Sequence, residues 1–364
     1  MSEKKTFLNA DIGDKLKNLF SSSFSKLKSN SKKSSSQSRR GISKSGFLTK
    51  FSNYVISMLS EYSVQQEEVV GIDITPNSIK LAQLSKKDDG WLVEKLAYRR
   101  LDRIEDVKSS AAKISEEIEI AFKSGKFSTT NAAVSLPVSS SIVKVITMPL
   151  MTESEMQKAI EYDSLWENLT QLPDALEEDS IFHQTIRQDT AQNLMDVLFV
   201  ASKLSDVNQY IEIVKDAQMS PIVMDVRCFA LRNAFETKDL KEMTKVPLAI
   251  LEIGLHENYL LILKDEVPFV SDIFVSSKDK ELLGVDNIKP ASISPIIDRF
   301  AMQIKQNLDS YASRFKSEKI KNLFLVSNSP NIQEISDAFS KKFSDMAIMV
   351  LDPFSTMEVP MQIK

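Results

Sequence analysis

Apolar and polar residues alternate through VVGIDIT (69–75) and again through SIKLAQL (78–84), with only the turn between them breaking the rhythm. A period of two predicts half-buried strands. Strands are therefore expected at 69–74, 78–84 and 91–101, as a meander joined first by Thr75-Pro76-Asn77 and then by KKDDG, in which Asp89-Gly90 is a hairpin signal. The spacing changes after the third strand. Val107, Ala111, Ile114, Ile118 and Phe122 share one face of a helix expected from about Ile104 to Ser124, ended by Gly125. NAAVSLPV (131–138) predicts a buried strand and IVKVITMP (142–149) an alternating one. A helix over Met151 to Leu169 should follow, with Thr152 and Glu155 forming a capping box. LMDVLFVA (194–201) predicts a strand, Ser205 the cap of a helix reaching about Ala217, Pro221 to Asp225 a short strand, and Arg227 to Phe235 a helix.

From Val246 the opening pattern returns: a strand LAILEI, a turn at Gly254 to Asn258, a return strand YLLILKD, and then PFVSDIFV. This is an approximate internal repeat. Helices at about 294–315 and 330–343 flank a strand IKNLFLVS, and a last strand AIMVL ends at Asp352-Pro353. Strands alternating with helices in this order define an α/β protein.

A chain of 364 residues with 42% hydrophobic and 26% charged residues is long enough for two domains or more. Charge divides it unevenly. Residues 1–60 carry 12 Lys and Arg against 3 Asp and Glu, while the remaining residues carry 34 against 47. A basic arm thus precedes an acidic body. Residues 21–46 are dominated by Ser and Lys and lack the apolar surface that would offset the entropy of ordering, so residues 1–66 are read as a disordered arm. Two amphipathic segments lie within it, one with Phe7, Leu8, Ile12, Leu16, Leu19 and Phe20, the other with Phe47, Leu48, Phe51, Tyr54, Val55, Met58 and Leu59. They read either as a tail that docks on the body or as an attachment to anionic lipid or a partner.

Cys228 is the single cysteine, and His183 and His256 are the two histidines, which excludes thiolate zinc sites and leaves little for a histidine-based triad. No stretch of about 18 uninterrupted apolar residues exists, and charges run through the N-terminus where a signal peptide needs an apolar core. A cytoplasmic protein is expected. The acidic body argues against specific nucleic-acid binding.

Two meanders, each opening with an apolar strand that carries an acid just before a polar turn, suggest one shape used twice with the turns facing across a cleft. Tight turns at strand ends aim N–H groups and hydroxyls at phosphate oxygens, and acids there can hold hydrated magnesium. The candidates are Asp73, Thr75, Asn77, Ser78 and Lys80 in the first hairpin and Glu252 and Gly254 in the second, with Asp73 and Glu252 for the metal.

Five segments in order carry a resemblance to a known family: GIDITPNSIKLAQL; AAVSLPVSSSIVKVITMP with TESEMQKAIEYD; MDVLFVASKLSDVNQYIEIVKDAQMSPIVMDVRCFALRNAF; LAILEIGLHENYLLILKDEVPFVSDI; and LDPFSTMEVP. Together, over residues 69–355, they resemble the PilM group of the actin-like fold shared by FtsA, Hsp70 and sugar kinases. The resemblance implies an actin-like (ribonuclease H-like) two-domain fold, with a first domain over 67–240, an insert subdomain over about 138–220 and a second domain over 241–364. It implies a scaffold of a type IV pilus or related envelope machine, held peripherally at the inner membrane by the N-terminal tail of a bitopic PilN-type partner. ATP with magnesium is the implied cofactor pair, with Ser327 and Asn328 at the adenosine-side position where the strand IKNLFLVS ends. An extended tail in a groove gains main-chain bonds and apolar pockets, and Ile142, Val143, Val145, Ile146 and Met148 are taken as part of that wall, or as a strand of the insert's own sheet.

Departures from the family pattern bear on chemistry. Pro76 removes a backbone donor from the first turn. Glu252-Ile253-Gly254 replaces Asp-Ile-Gly, Glu257 adds an anion where phosphates need donors, and Asn328-Ser329-Pro330 stands where a glycine pair is expected. Efficient ATP hydrolysis is therefore not expected, and the cleft holds ATP weakly or not at all. The alternatives are an ATP-using ATPase or kinase of the same fold, and the actin-like component of a type II secretion platform, disfavoured by the lack of a membrane span before Lys364.

Overall fold

A computed structural model describes residues 68–361, apart from 88–89, 103, 105–106, 108, 153, 157, 159–178, 236–245 and 265–266. The arm, its amphipathic segments and most of the helix expected over 151–169 lie outside the described residues.

The alternation in the opening stretch becomes β1 (Val70–Thr75) and β2 (Ser78–Lys87), antiparallel in register from Val70 opposite Gln83 to Thr75 opposite Ser78, with β3 (Gly90–Arg100) beside β2. Val70, Ile72, Ile74, Ile79 and Leu81 face one side and pack on Ile114, Ile118 and Ala121 of α1 (Ala111–Gly125). The helix starts later than the expected Ile104. The Leu101 and Ile104 N–H groups donate instead to the carbonyls of Asn77 and Pro76, at 2.8 and 2.9 Å, pinning this backbone to the first turn. Its end also differs from expectation. Lys126, not Gly125, takes the left-handed conformation (φ 53°), and a Cβ on Gly125 would lie 2.4 Å from the Phe127 ring. Glycine is needed there for close packing rather than for its dihedral freedom.

β4 (Asn131–Leu136) lies parallel to β1 and, after a short 3₁₀ turn at Val138–Ser140, the chain enters β5 (Ser141–Pro149), β6 (Asp179–Asp189) and β7 (Leu194–Lys203). These three form an antiparallel sheet in the order β5-β7-β6. β6 went unforeseen because an edge strand exposes alternate positions, here Phe182, Gln184 and Arg187, and its apolar signal is sparse. The capping box does form: the Thr152 N–H donates to Glu155 Oε2 at 2.7 Å, and the Glu155 N–H to Thr152 Oγ1 at 3.3 Å. Ser205 does not cap α2 (Leu204–Asp216). β7 stays paired through Lys203 and feeds straight into the helix, leaving Ser205 inside the first turn with its hydroxyl toward Asp206. β8 (Ser220–Val226) then pairs parallel with β4, and α3 (Arg227–Phe235) follows without a loop.

The second half repeats the first. β9 (Leu248–Glu252), β10 (Tyr259–Lys264) and β11 (Val267–Asp272) form a meander. α4 (Ser277–Leu283) and α5 (Pro290–Phe315) follow, α5 with proline at its first position. β12 (Asn322–Val326) lies parallel to β9, and α6 (Ile332–Lys342) leads to β13 (Ala347–Val350), parallel to β12. The order β11-β10-β9-β12-β13 matches β3-β2-β1-β4-β8, and β14 (Met357–Glu358) returns to the first sheet beside β3. Among the described residues no helix is long and apolar enough to cross a membrane.

Candidate functional site

The repeat puts the two hairpin acids at equivalent places. Asp73 lies opposite Lys80 on β2 and Ser135 on β4; Glu252 lies opposite Tyr259 on β10 and Val326 on β12. Both carboxylates meet Arg227, the first residue of α3. Its Nε lies 2.9 and 3.1 Å from the two Glu252 oxygens, Nη2 lies 2.9 Å from Glu252 Oε1, and Nη1 donates to Asp73 Oδ1. The side chains of Arg227, Asp73 and Glu252 are 21%, 23% and 11% exposed. Burial opposes the arginine's charge, but the carboxylates of Glu252 and Asp73 outweigh it and hold the guanidinium above its ordinary pKa. Lys80 Nζ stands 3.5 Å from the other Asp73 oxygen.

Beside this bridge opens a cavity of about 350 Å³, lined by Asp73, Thr75, Ser135, Ser139, Tyr210, Arg227, His256, Glu257 and Lys280 among others. Glu257 projects into it from the β9–β10 turn. Its Oε2 accepts the Val138 N–H at 3.1 Å and its Oε1 the Ser139 hydroxyl at 3.3 Å, so it links the second hairpin to the end of β4. Burial and the charge of Glu252 push the Glu257 carboxyl up to about 7, against the opposing influence of Arg227 and the two hydrogen bonds. The Tyr210 hydroxyl is also held protonated, by burial and by the nearby charges of Glu257, Asp206 and Asp73.

The sequence-predicted residues divide between the cavity and the turns. Asp73 and Thr75 line the cavity, yet the buried Thr75 and Ser78 hydroxyls lie 2.9 Å apart and Thr75 Oγ1 accepts the Ser78 N–H at 3.1 Å. Asn77 Oδ1 lies 3.0 Å from the same threonine hydroxyl. The first turn is thus tied by its own polar groups. In the second turn, the Gly254 N–H donates to Asn258 Oδ1 at 3.0 Å and Asn258 Nδ2 donates to the Gly254 carbonyl at 2.9 Å. A Cβ on Gly254 would lie 2.9 Å from Asn328 Oδ1, so this glycine admits the asparagine that follows β12. Ser327 Oγ accepts the Ser329 N–H at 2.9 Å.

Of the residues taken as a partner-binding wall, Val145, Ile146 and Met148 are buried, and Ile142 and Val143 are half-buried. Val143 and Val145 pack with Leu198 and Val200 toward the second sheet; Ile142, Ile146 and Met148 pack with Met195, Val197 and Phe199 on the other face. Arg314 Nη2 also donates to the Val145 carbonyl.

Arg227 escaped the sequence reading. Its signal is a lone charge between buried Val226 and Cys228, at a junction where β8 passes directly into α3. Such a charge requires a partner, and its partners lie 154 and 25 residues away.

The family model of the type IV pilus assembly protein PilM matches residues 71–271, which include both hairpins and Arg227. The chain belongs to the PilM family. Its fold is correspondingly actin-like. The structure titled PilM-PilN type IV pilus biogenesis complex superposes with a TM-score of 0.66 at 17% identity, covering 82% of this chain and 92% of that chain. The ethanolamine utilization protein EutJ from Carboxydothermus hydrogenoformans gives 0.45 at 10% identity, covering 79% and 86%. The cytoplasmic domain of EpsL from Vibrio cholerae gives 0.40 at 10%, covering 72% and 84%. No curated protein matches the chain by sequence. Within the PilM frame, the sheet β5-β7-β6 is an insertion between β4 and β8.

Proposed function

We infer that this PilM-family chain is a non-catalytic scaffold, which recruits a bitopic inner-membrane protein of the PilN type by binding its N-terminal tail. The observation that carries the non-catalytic part is the Asp73–Arg227–Glu252 bridge: both acids of the cleft are engaged by the protein's own guanidinium. The partner follows from membership of the family and from the PilM-PilN complex, whose fold this chain shares. The protein would be cytoplasmic and peripheral at the inner membrane, with the division at 67–240 and 241–364 and the insert over about 138–220 setting the shape of the groove. Because Val145, Ile146 and Met148 serve the insert's own cores, an incoming tail would meet the half-buried Ile142 and Val143 and neighbouring backbone groups. The basic arm adds attraction to anionic lipid.

ATP, in this reading, binds weakly and is not turned over. Calorimetry of the full chain with N-terminal peptides of bitopic inner-membrane proteins from the same gene neighbourhood tests the scaffold reading. Saturable binding is expected, and no binding to a folded protein would overturn it. An ATP titration decides the enzymatic alternative, which micromolar affinity with turnover would establish.

A further inference from the structure

We propose that Arg227 is the resident cation of this cleft, standing in for a divalent metal between the two hairpin acids, so that the two sheets are joined, and any ligand is taken up, without one.

Paired carboxylates facing one another across a cleft suit magnesium, which needs about six oxygens near 2.0–2.1 Å and brings two positive charges. Here the oxygens are already committed. Both Glu252 oxygens accept from Arg227 Nε, Glu252 Oε1 also faces Nη2, and Asp73 Oδ1 accepts from Nη1. A guanidinium cannot give up its proton in a protein and its planar fork fits carboxylates from two directions. A metal entering between Asp73 and Glu252 would therefore meet a fixed positive charge and have to displace three donor nitrogens. Asp73 has a second cation in Lys80, which reduces any remaining attraction for a dication. No group of three or more His, Cys, Asp and Glu converges on a metal position among the described residues.

The acceptor position a phosphate oxygen would take is filled as well. Glu257 accepts the Val138 N–H and the Ser139 hydroxyl, groups that a phosphate oxygen would otherwise engage at the end of β4. The chain thus supplies a guanidinium cation and a carboxyl acceptor of its own, each reaching from one sheet to the other: Asp73 on β1 through Arg227 to Glu252 on β9, and the β9–β10 turn through Glu257 to the end of β4. The sheets stay together with no metal–phosphate group between them. This inference goes beyond the scaffold reading and does not depend on any partner.

The experiment uses the full chain stripped with EDTA, with metal alone as the probe. For the wild type, thermal unfolding in millimolar MgCl₂ and in EDTA should coincide to within about 1 °C, and Mn²⁺ followed by electron paramagnetic resonance should remain free at micromolar concentrations. Arg227→Ala exposes the two carboxylates to each other. It should unfold several degrees lower, regain part of the loss in MgCl₂, and bind Mn²⁺ at least about tenfold more tightly than the wild type. Arg227→Lys, which keeps a cation, should remain indifferent to metal. A wild type that binds Mn²⁺ at micromolar concentration, or is stabilised by MgCl₂, overturns the proposal even if Arg227→Ala does not fold. A folded Arg227→Ala that gains nothing from either metal overturns it too. Peptide binding is a separate readout, so loss of this proposal leaves the scaffold reading standing or falling by its own test.

Discussion

The two hairpins share a topology and a register but not an environment. Gly71, Asp73, Lys80 and Ala82 of the first occupy the positions held by Ile250, Glu252, Tyr259 and Leu261 in the second. The first set is half-buried or exposed; the second is buried throughout. The difference arises from what covers that face. Over β9 and β10 lie Cys228 and Phe235 of α3 and Val145, Leu198 and Val200 of the inserted sheet, so the strands carry apolar side chains on both faces. On β1 and β2 the equivalent face brings Asp73 to the cavity and leaves Gly71 exposed, while the opposite face meets α1 and α2. A repeated backbone therefore supplies one wall that is core and one that presents polar groups. It also explains why Asp73 tolerates partial exposure beside Lys80, whereas Glu252 is held by the bidentate contact with Arg227.

The largest test of this asymmetry is Leu261→Ala, which should cost about 3 kcal/mol in denaturant unfolding through lost contacts and an unfilled cavity. The equivalent Ala82→Gly should cost less than about 1 kcal/mol. Equal losses would mean the faces are not packed differently. The turns come next. Asn258→Ala removes both side-chain bonds that close the second turn and should cost about 2 kcal/mol, while Thr75→Val, which strands the Ser78 N–H, should cost about 1 kcal/mol. A reversed order would place the stronger lock in the first turn.

Glu257 supplies a pH-dependent test. Its folded pKa is raised to about 7, so the native state binds this proton more tightly than the unfolded chain does. Stability from this group is full below the ordinary glutamate value and declines as pH rises toward 7. Half-buried Asp225, raised to about 6, contributes in the same direction. Glu257→Gln should flatten the part of the decline that lies nearest pH 7, read from denaturation midpoints across pH 5 to about 8; an unchanged profile would show that Glu257 is not the group. The smallest effect belongs to Lys80→Ala, below about 0.5 kcal/mol, because this ion pair is long and the lysine side chain is 39% exposed.

Much of the fold was legible along the chain. The period of two in VGIDIT, the two-faced apolar run in LAILE and YLLIL, the capping box at Thr152 and Glu155, and the helix from Arg227 to Phe235 all rest on interactions between near neighbours. Expectation failed where distant backbone or side chains intervened. Ile104, read as the start of a helix, instead donates its N–H to the first turn, as Leu101 does, and β6 was hidden by its edge position; the Thr75 and Ser78 hydroxyls lie 2.9 Å apart and close their own hairpin.

The sequence by itself determined that two hairpins would recur, that each would carry an acid before its turn, and that the first sixty residues would be basic against an acidic body. Only the tertiary structure decided what those acids do. Charges pair by distance in space, and that distance was set by the packing of two sheets around α3. This brought Arg227 to Asp73 across 154 residues and Glu257 to Val138 across 119, beyond the reach of any local pattern.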